Sequence, residues 1–306
     1  MAIDPEAPLV QTIPPKRPDN MRGLILMALG FFLFAAADAQ TKVLSTSLHP
    51  FQIVWTRQTG LLFGVLVMLA LKGPGILKTA YPALQLTRGG LAVLSATLFV
   101  FAVRYVPLAD AVAVSFIAPF IVTVLGAIFL KERVGARRWT AIGIGFLGTL
   151  IVVRPGMGTV HPAALLVVLA ATFFAARQVL SRRLAASDRT ETTISYTAIA
   201  SVALLSLPLP FVWQTPSTLQ QGLLLLGVAT CAGLGELLVI KALEIALAVV
   251  VAPVHYSLIL WSTFYGWVIF DQLPDQWTIF GSLIIVATGL YVLNRERLLM
   301  RAARRG

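Results

Sequence analysis

The sequence predicts an all-α integral membrane protein of ten transmembrane helices, folded as two inverted five-helix repeats with both termini in the cytoplasm (N-in/C-in). Three observations carry that expectation. Of 306 residues, 58% are hydrophobic and only 12% charged, with a mean hydropathy of +0.86, a balance that soluble domains do not reach because their surfaces must be polar. The apolar residues fall into separate windows, each able to cross about 30 Å of hydrocarbon at about 1.5 Å per residue. Finally, a stretch in the middle of the chain recurs near its end.

In order, the windows are 23–43, 51–71, 84–103, 108–130 and 137–153, then 162–181, 193–213, 217–240, 248–270 and 276–293. The fifth is short, and Pro155-Gly156 stops it. No window alternates apolar and polar residues over the length of a tilted strand, which excludes a β-barrel. Residues 1–20 carry Pro5, Pro8, Pro14, Pro15 and Pro18, so they read as a disordered cytoplasmic tail and not as a signal peptide. The first repeat spans 21–156, the second 157–294, and 295–306 form a basic cytoplasmic tail.

The repeat is visible residue by residue. Asp110–Glu132 aligns with Val250–Gln272 at an offset of 140, superposing Gly126 on Gly266, and Phe34–Lys42 falls on Phe174–Arg182 at the same offset. After a two-residue contraction, Trp139-Thr140 meets Trp277-Thr278. Five spans per repeat is an odd number, so the second repeat must cross the bilayer upside down, a known route to transporter folds.

Orientation follows from the cations, which accumulate in short cytoplasmic loops. With the N-terminus inside, 19 of the 24 Lys and Arg residues lie at inner ends and three, Lys42, Arg104 and Arg154, at outer ends; Arg57 and Arg177 lie within spans. The net charge of +11 is accounted for by these loops. With no aromatic platform beside the cations, a nucleic-acid partner is not expected. Cys231 is the single cysteine, so no intrachain disulfide can form. Enzyme motifs are missing: there is no HExxH, Walker A loop, GxSxG, CxxC or cluster at metal-ligand spacing. No enzymatic activity, cofactor or metal is expected, and any active transport must draw on a gradient.

A charge at mid-bilayer costs several kcal/mol, so ionisable residues inside spans are functional candidates. Asp38, Arg57, Arg177, Glu236 and His255 qualify. Counted at about 1.5 Å per residue, Asp38 and Arg57 lie roughly 6 Å outward of the midplane, and Arg177, Glu236 and His255 roughly 6 to 9 Å inward. Asp38 with Arg57 and Glu236 with Arg177 are the pairs that depth and sign permit, either as interhelical clamps or as cavity groups. Tyr256, Trp261 and Tyr265 add an aromatic wall suited to an amphipathic ligand; Ser257, Trp261 and Tyr265 share one helical face. Pro119 and Pro253 are candidate hinges, since each removes an intrahelical hydrogen bond. Gly60, Gly64, Gly143, Gly145, Gly148, Gly281 and Gly289 read as packing residues.

Several features together resemble the EamA-type drug/metabolite transporter superfamily: Lys42 closing the first span, His49-Pro50 before a span containing Arg57, Pro119 thirteen residues ahead of Glu132, and the ending Val152–Gly156. The second copy departs from the pattern, with Ile259 at the proline position and Gln272 at the glutamate position, which weakens any transport role there. Within the superfamily the chain is most similar to YddG-like amino-acid exporters. The resemblance implies a multi-pass protein of the bacterial inner membrane that exports small metabolites, above all aromatic or hydrophobic amino acids. It would work by alternating access without ATP, with the solute and the lipid bilayer as partners and the proton as candidate coupling ion. Arg177, Glu236, His255, Tyr256, Trp261, Tyr265 and Asp38 are then the expected substrate-binding set. A permease for a nucleoside, vitamin or drug, and a membrane scaffold that moves nothing, are the alternatives.

Overall fold

The computed structural model describes residues 19–130, 135–154, 161–184 and 187–303, and all regular structure among them is helical. The first repeat contains α1 (Asn20–Leu44), α2 (Pro50–Lys72), α3 (Pro82–Val103), α4 (Leu108–Ser115), α5 (Ala118–Phe129) and α6 (Ala136–Val153). The second contains α7 (Ala164–Leu184), α8 (Thr190–Ser206), the single turn α9 (Leu209–Val212), α10 (Leu219–Ile245), α11 (Ala248–Val251), α12 (Ser257–Phe270) and α13 (Gln276–Ala303). A 3-10 turn, Ala252–Tyr256, joins α11 to α12.

Each expected window is a helix or a pair of helices in series. Seven segments are long and apolar enough to span by themselves; α6, α8 and the α11–α12 series supply the remaining crossings. The tail expected over 1–20 falls almost wholly outside the described residues. At the other end, the segment expected as a basic tail is helical through Ala303.

Local chemistry explains the boundaries. Asp19 accepts from the Arg22 backbone N–H at 3.1 Å to open α1, and Thr218 caps α10 through the Gln221 N–H at 3.2 Å, each satisfying a donor the helix leaves over. His49 accepts from the Phe51 N–H at 3.3 Å, and Pro50 takes the first helical position, where its missing N–H costs nothing. At their outer ends α6 and α12 stop in left-handed residues, Arg154 (φ 44) and Asp271 (φ 53).

Packing follows the repeat. α1 lies along α10, as α7 lies along α3; α10 also packs on α2, as α3 packs on α8; α1 meets α12, as α7 meets α5. Each statement becomes the next when the two halves are exchanged. The small-residue contacts obey the same exchange. A Cβ on Gly60 would stand 1.9 Å from the carbonyl oxygen of Ala229, and one on Gly89 would stand 2.6 Å from the Cβ of Ala200. At the offset of 140, Gly60 corresponds to Ala200 and Gly89 to Ala229, so one close approach is built twice by equivalent residues.

The fourth and ninth spans are both broken, and at equivalent points. α4 ends at Ser115 and α5 begins at Ala118; the 3-10 turn ends at Tyr256 and α12 begins at Ser257. Pro119 sits in the first turn of α5 and Pro253 within the 3-10 turn, so each accompanies a break in its span.

The exchange symmetry fails in one place. α4, the outer half of the fourth span, packs on α12, the outer half of the ninth; their inner counterparts do not repeat this, as α5 packs instead on α7 and α6. At the outer end a buried core joins both repeats through Ala39, Val103, Val106, Leu108, Val152 and Ala164, with Tyr265 and Phe270 against it. At the outer end the fourth and ninth spans are thus held against each other, a contact that their inner halves do not repeat.

Candidate functional site

The two helix breaks bring residues of both repeats together. His255, in the 3-10 turn, lies in mid-span and retains accessible surface while packed among aromatic rings. Its imidazole stacks on Phe31 at 4.7 Å with 5° between planes, and Phe116 flanks it at 5.1 Å. Phe116 also stacks on Tyr256 at 5.0 Å. Phe116 and Tyr256 are equivalent residues at the 140 offset, so the two broken spans meet through one pseudo-symmetric ring pair.

The inner charged layer differs from the expected pair. The ion pairs between described residues join Arg22 to Asp19, Arg57 to Asp38, Lys72 to Glu191, Arg154 to Asp275 and Lys241 to Glu244; Arg177 and Glu236 do not meet. Arg177 Nε is buried with no hydrogen-bond partner, and its guanidinium lies 4.8 Å over the Phe174 ring. Glu236 is close enough to act electrostatically on both Arg177 and Arg88. Equality of depth along two helices does not by itself bring two side chains together.

Arg88 is the residue that sequence reading missed, having been counted among the cytoplasmic loop cations. It lies within α3 and donates from Nε to Ser181 Oγ at 2.6 Å, from Nη1 to the Thr193 carbonyl at 3.3 Å, and to the Thr197 hydroxyl. Ser181 Oγ donates onward to the Arg177 carbonyl at 2.7 Å. Arg88 is thereby a satisfied cation that braces the helix carrying Arg177, whose own charge stays open. Its place six residues after Pro82, a helix-opening proline, was the available signal.

In the outer layer, Asp38 and Arg57 do meet, at 2.5 Å, with Asp38 only 6% exposed. Asp38 is therefore committed to a clamp between α1 and α2. Of the expected aromatic wall, Trp261 faces Phe32 edge-on at 5.1 Å and Tyr265 lies 5.5 Å from the same ring, so both pack largely onto α1. The Trp261 indole N–H is buried without an acceptor. Ser257 Oγ, one turn earlier on that face, likewise lacks a partner.

Gln272, discounted from sequence, accepts a hydrogen bond from Lys42 Nζ at 3.0 Å, and the same ammonium donates to the Val106 carbonyl at 2.7 Å. Nearby, Arg154 holds Asp275 at 2.5 Å. Burial would raise the Asp275 carboxyl, but the Thr278 N–H and the Arg154 guanidinium outweigh it and hold the group below the usual aspartate value.

A separate open cavity of about 500 Å³ lies between α2, α8 and α10 at their inner ends, lined by Gly64, Met68, Ile194 and Leu237 with Lys72 and Lys241 at its rim. It holds none of the expected substrate-binding residues.

Ten crossings in two exchange-related halves and broken spans at equivalent points form one framework, and a family model matches both halves. The EamA-like transporter family model covers residues 21–154 and again 161–295. The chain belongs to the EamA-like transporter family. Among curated relatives, an S-adenosylmethionine uptake transporter of Rickettsia conorii is 28% identical over 278 residues, covering 89% of this chain and 94% of the relative. The pseudopaline exporter CntI of Pseudomonas aeruginosa is 29% identical over 268 residues, covering 86% and 93%. A riboflavin transporter of Vibrio cholerae is 30% identical over 237 residues, covering 76% and 79%. One solved crystal structure superposes with a TM-score of 0.60 at 17% identity, over 89% of this chain and 98% of that one, which shows the shared fold. These relatives are transporters of several small-molecule classes, so the similarity extends across the family and does not single out its amino-acid exporters.

Proposed function

We propose that this protein carries a small zwitterionic solute, one with an amino-acid head and a planar body, across the bacterial inner membrane by alternating access. One observation supports the head group above all. Arg177 and Glu236 have opposite signs, lie within electrostatic reach of each other, and make no ion pair together. Two such charges held apart in a low-dielectric space suit a ligand that brings a carboxylate to one and an ammonium to the other, since buried charges are stable only when paired. A scaffold would have closed this pair or replaced it with Leu, Ile or Val.

The planar body rests on the rings around His255. Phe31 and Phe116 flank the imidazole and Tyr256 stacks on Phe116, and rings offer stacking surface at little cost in conformational entropy. S-adenosylmethionine, the solute named for one relative, combines an amino-acid head with a planar purine, so the family already includes that chemistry. The proposal replaces plain amino-acid export by a wider class of amino-acid-headed solutes, and relatives named for uptake and for export leave either direction open to this scaffold. Pro119 and Pro253, at the equivalent breaks, serve as the points about which the spans flex.

Proteoliposomes loaded with radiolabelled S-adenosylmethionine, phenylalanine or riboflavin provide the test. Exchange of either amino-acid-headed solute without ATP, and loss of that exchange in Arg177→Met, is the expected result. Movement of riboflavin alone would overturn the assignment.

A further inference from the structure

Helices α1, α10 and α12 pack together, and so do α3, α4, α5 and α7. The outer end is where these two groups are joined, and Lys42 stands at that junction. It lies in the last turn of α1, is 8% exposed, and sends Nζ in two directions: to Gln272, just beyond α12 on its own side, and to the Val106 carbonyl, in the α3–α4 connection on the other. The ring of Phe270 lies 5.1 Å from the ammonium, again on its own side. A lysine held this way spans the outer boundary with a single charge-assisted bond.

Asp110 lies across the same boundary, in the first turn of α4. It is 9% exposed and its Oδ1 has no hydrogen-bond partner. It attracts Lys42 without touching it. Of the other groups that face Asp110, Arg154 is bonded to Asp275, Asp275 also accepts from the Thr278 N–H at 2.8 Å, and the Thr278 hydroxyl, which has no other partner, lies on the Asp110 side of α13 within its reach. A carboxylate in a first turn favours its own helix, but that does not explain its burial within electrostatic reach of a buried cation of the opposite group.

We propose that Lys42 is the latch of the outer gate and Asp110 the counter-charge that sets its strength. In the outward-closed arrangement the Val106 carbonyl and the field of Asp110 hold Lys42 across the boundary. Opening to the outside breaks the bond to Val106, and Lys42 leaves with α1, still held by Gln272, while the separated charges are hydrated. A neutral carbonyl in place of a contacting carboxylate makes the latch firm enough to close yet weak enough to release, because a closed buried ion pair would resist separation. The inference rests on the alternating-access reading above, but its test needs no solute.

The test uses Val103→Cys as reporter, a position fully buried in the outer core, in a Cys231→Ser background where it is the sole thiol. A membrane-impermeant maleimide is applied from the outer side, and gel filtration checks folding separately. Lys42→Met should raise the labelling rate by roughly tenfold to a hundredfold, the range for losing a hydrogen bond to a charged group. Asp110→Asn should raise it less, and should add nothing in the Lys42→Met background. Unchanged labelling in Lys42→Met, or an undiminished effect of Asp110→Asn without Lys42, overturns the proposal. If Lys42→Met does not fold, the isosteric Asp110→Asn decides alone: faster labelling supports the latch and the parent rate refutes it. A failed solute panel with intact gate behaviour would count against the solute assignment only.

Discussion

Replacing Arg177 by Met should make the protein more stable while it abolishes transport, and the same replacement at Arg57 should do the opposite to stability. Arg57 contacts Asp38 at 2.5 Å, so removing it strands a carboxylate that is 6% exposed; breaking a buried pair typically costs about 3 to 5 kcal/mol. Arg177 has no such bond to lose. Its burial costs several kcal/mol, and against that stand a ring contact at 4.8 Å to Phe174, worth about 1 to 2 kcal/mol, and attraction to Glu236. Because that pair is beyond contact, its attraction at an effective dielectric near 20 is below about 4 kcal/mol. Met keeps the apolar stem, and Glu236 keeps Arg88 as a neighbour. The net expectation is a gain of about 1 to 2 kcal/mol for Arg177→Met and a loss of about 3 to 5 for Arg57→Met. Thermal unfolding in detergent reads both, at about 2 °C per kcal/mol for a chain of this size. Opposite signs are expected of a site that keeps a charge open for its ligand at a cost in stability. Comparable losses in the two variants would show Arg177 to be a structural anchor and would refute the reasoning.

Gly60→Val should prevent α2 from seating on α10, since even a Cβ there meets the Ala229 oxygen at 1.9 Å, whereas Gly64→Ala, with nothing within 4 Å, should leave expression and gel-filtration behaviour unchanged. Single cysteines at Ser47 and Ser187, both exposed, should label from opposite faces in a Cys231→Ser background; labelling of both from outside would sink the inverted topology. Asp275→Asn should lower stability at neutral pH. Because the folded carboxyl is held below its ordinary value of 3.8, that contribution is present above 3.8 and lost only as pH falls through the lower folded value. The thermal shift between parent and variant should therefore vanish under acid conditions below the ordinary range, and an earlier loss near pH 5 would contradict the Arg154 pairing.

The sequence by itself determined the number of crossings and their order, because a bilayer imposes a length on each apolar segment. It also determined the repeat, and it offered the pairing Asp38–Arg57 as a candidate, since those residues lie on adjacent antiparallel spans at one depth. What only the tertiary structure decided is which faces of distant helices turn toward each other. Depth along a span is a one-dimensional coordinate, and it was enough for neighbours joined by a short loop; for α7 and α10 it gave equal heights while the rotation of each helix kept Arg177 and Glu236 apart. The same limit hid Arg88, whose partners Ser181, Thr193 and Thr197 lie on two helices about a hundred residues away. It also hid the use of Gln272, which departs from the repeat yet bonds Lys42 from the far end of the chain. The break in exchange symmetry at α4 and α12 could not be read from a sequence that specifies both halves alike, because which side is closed depends on the balance of contacts across the whole outer boundary.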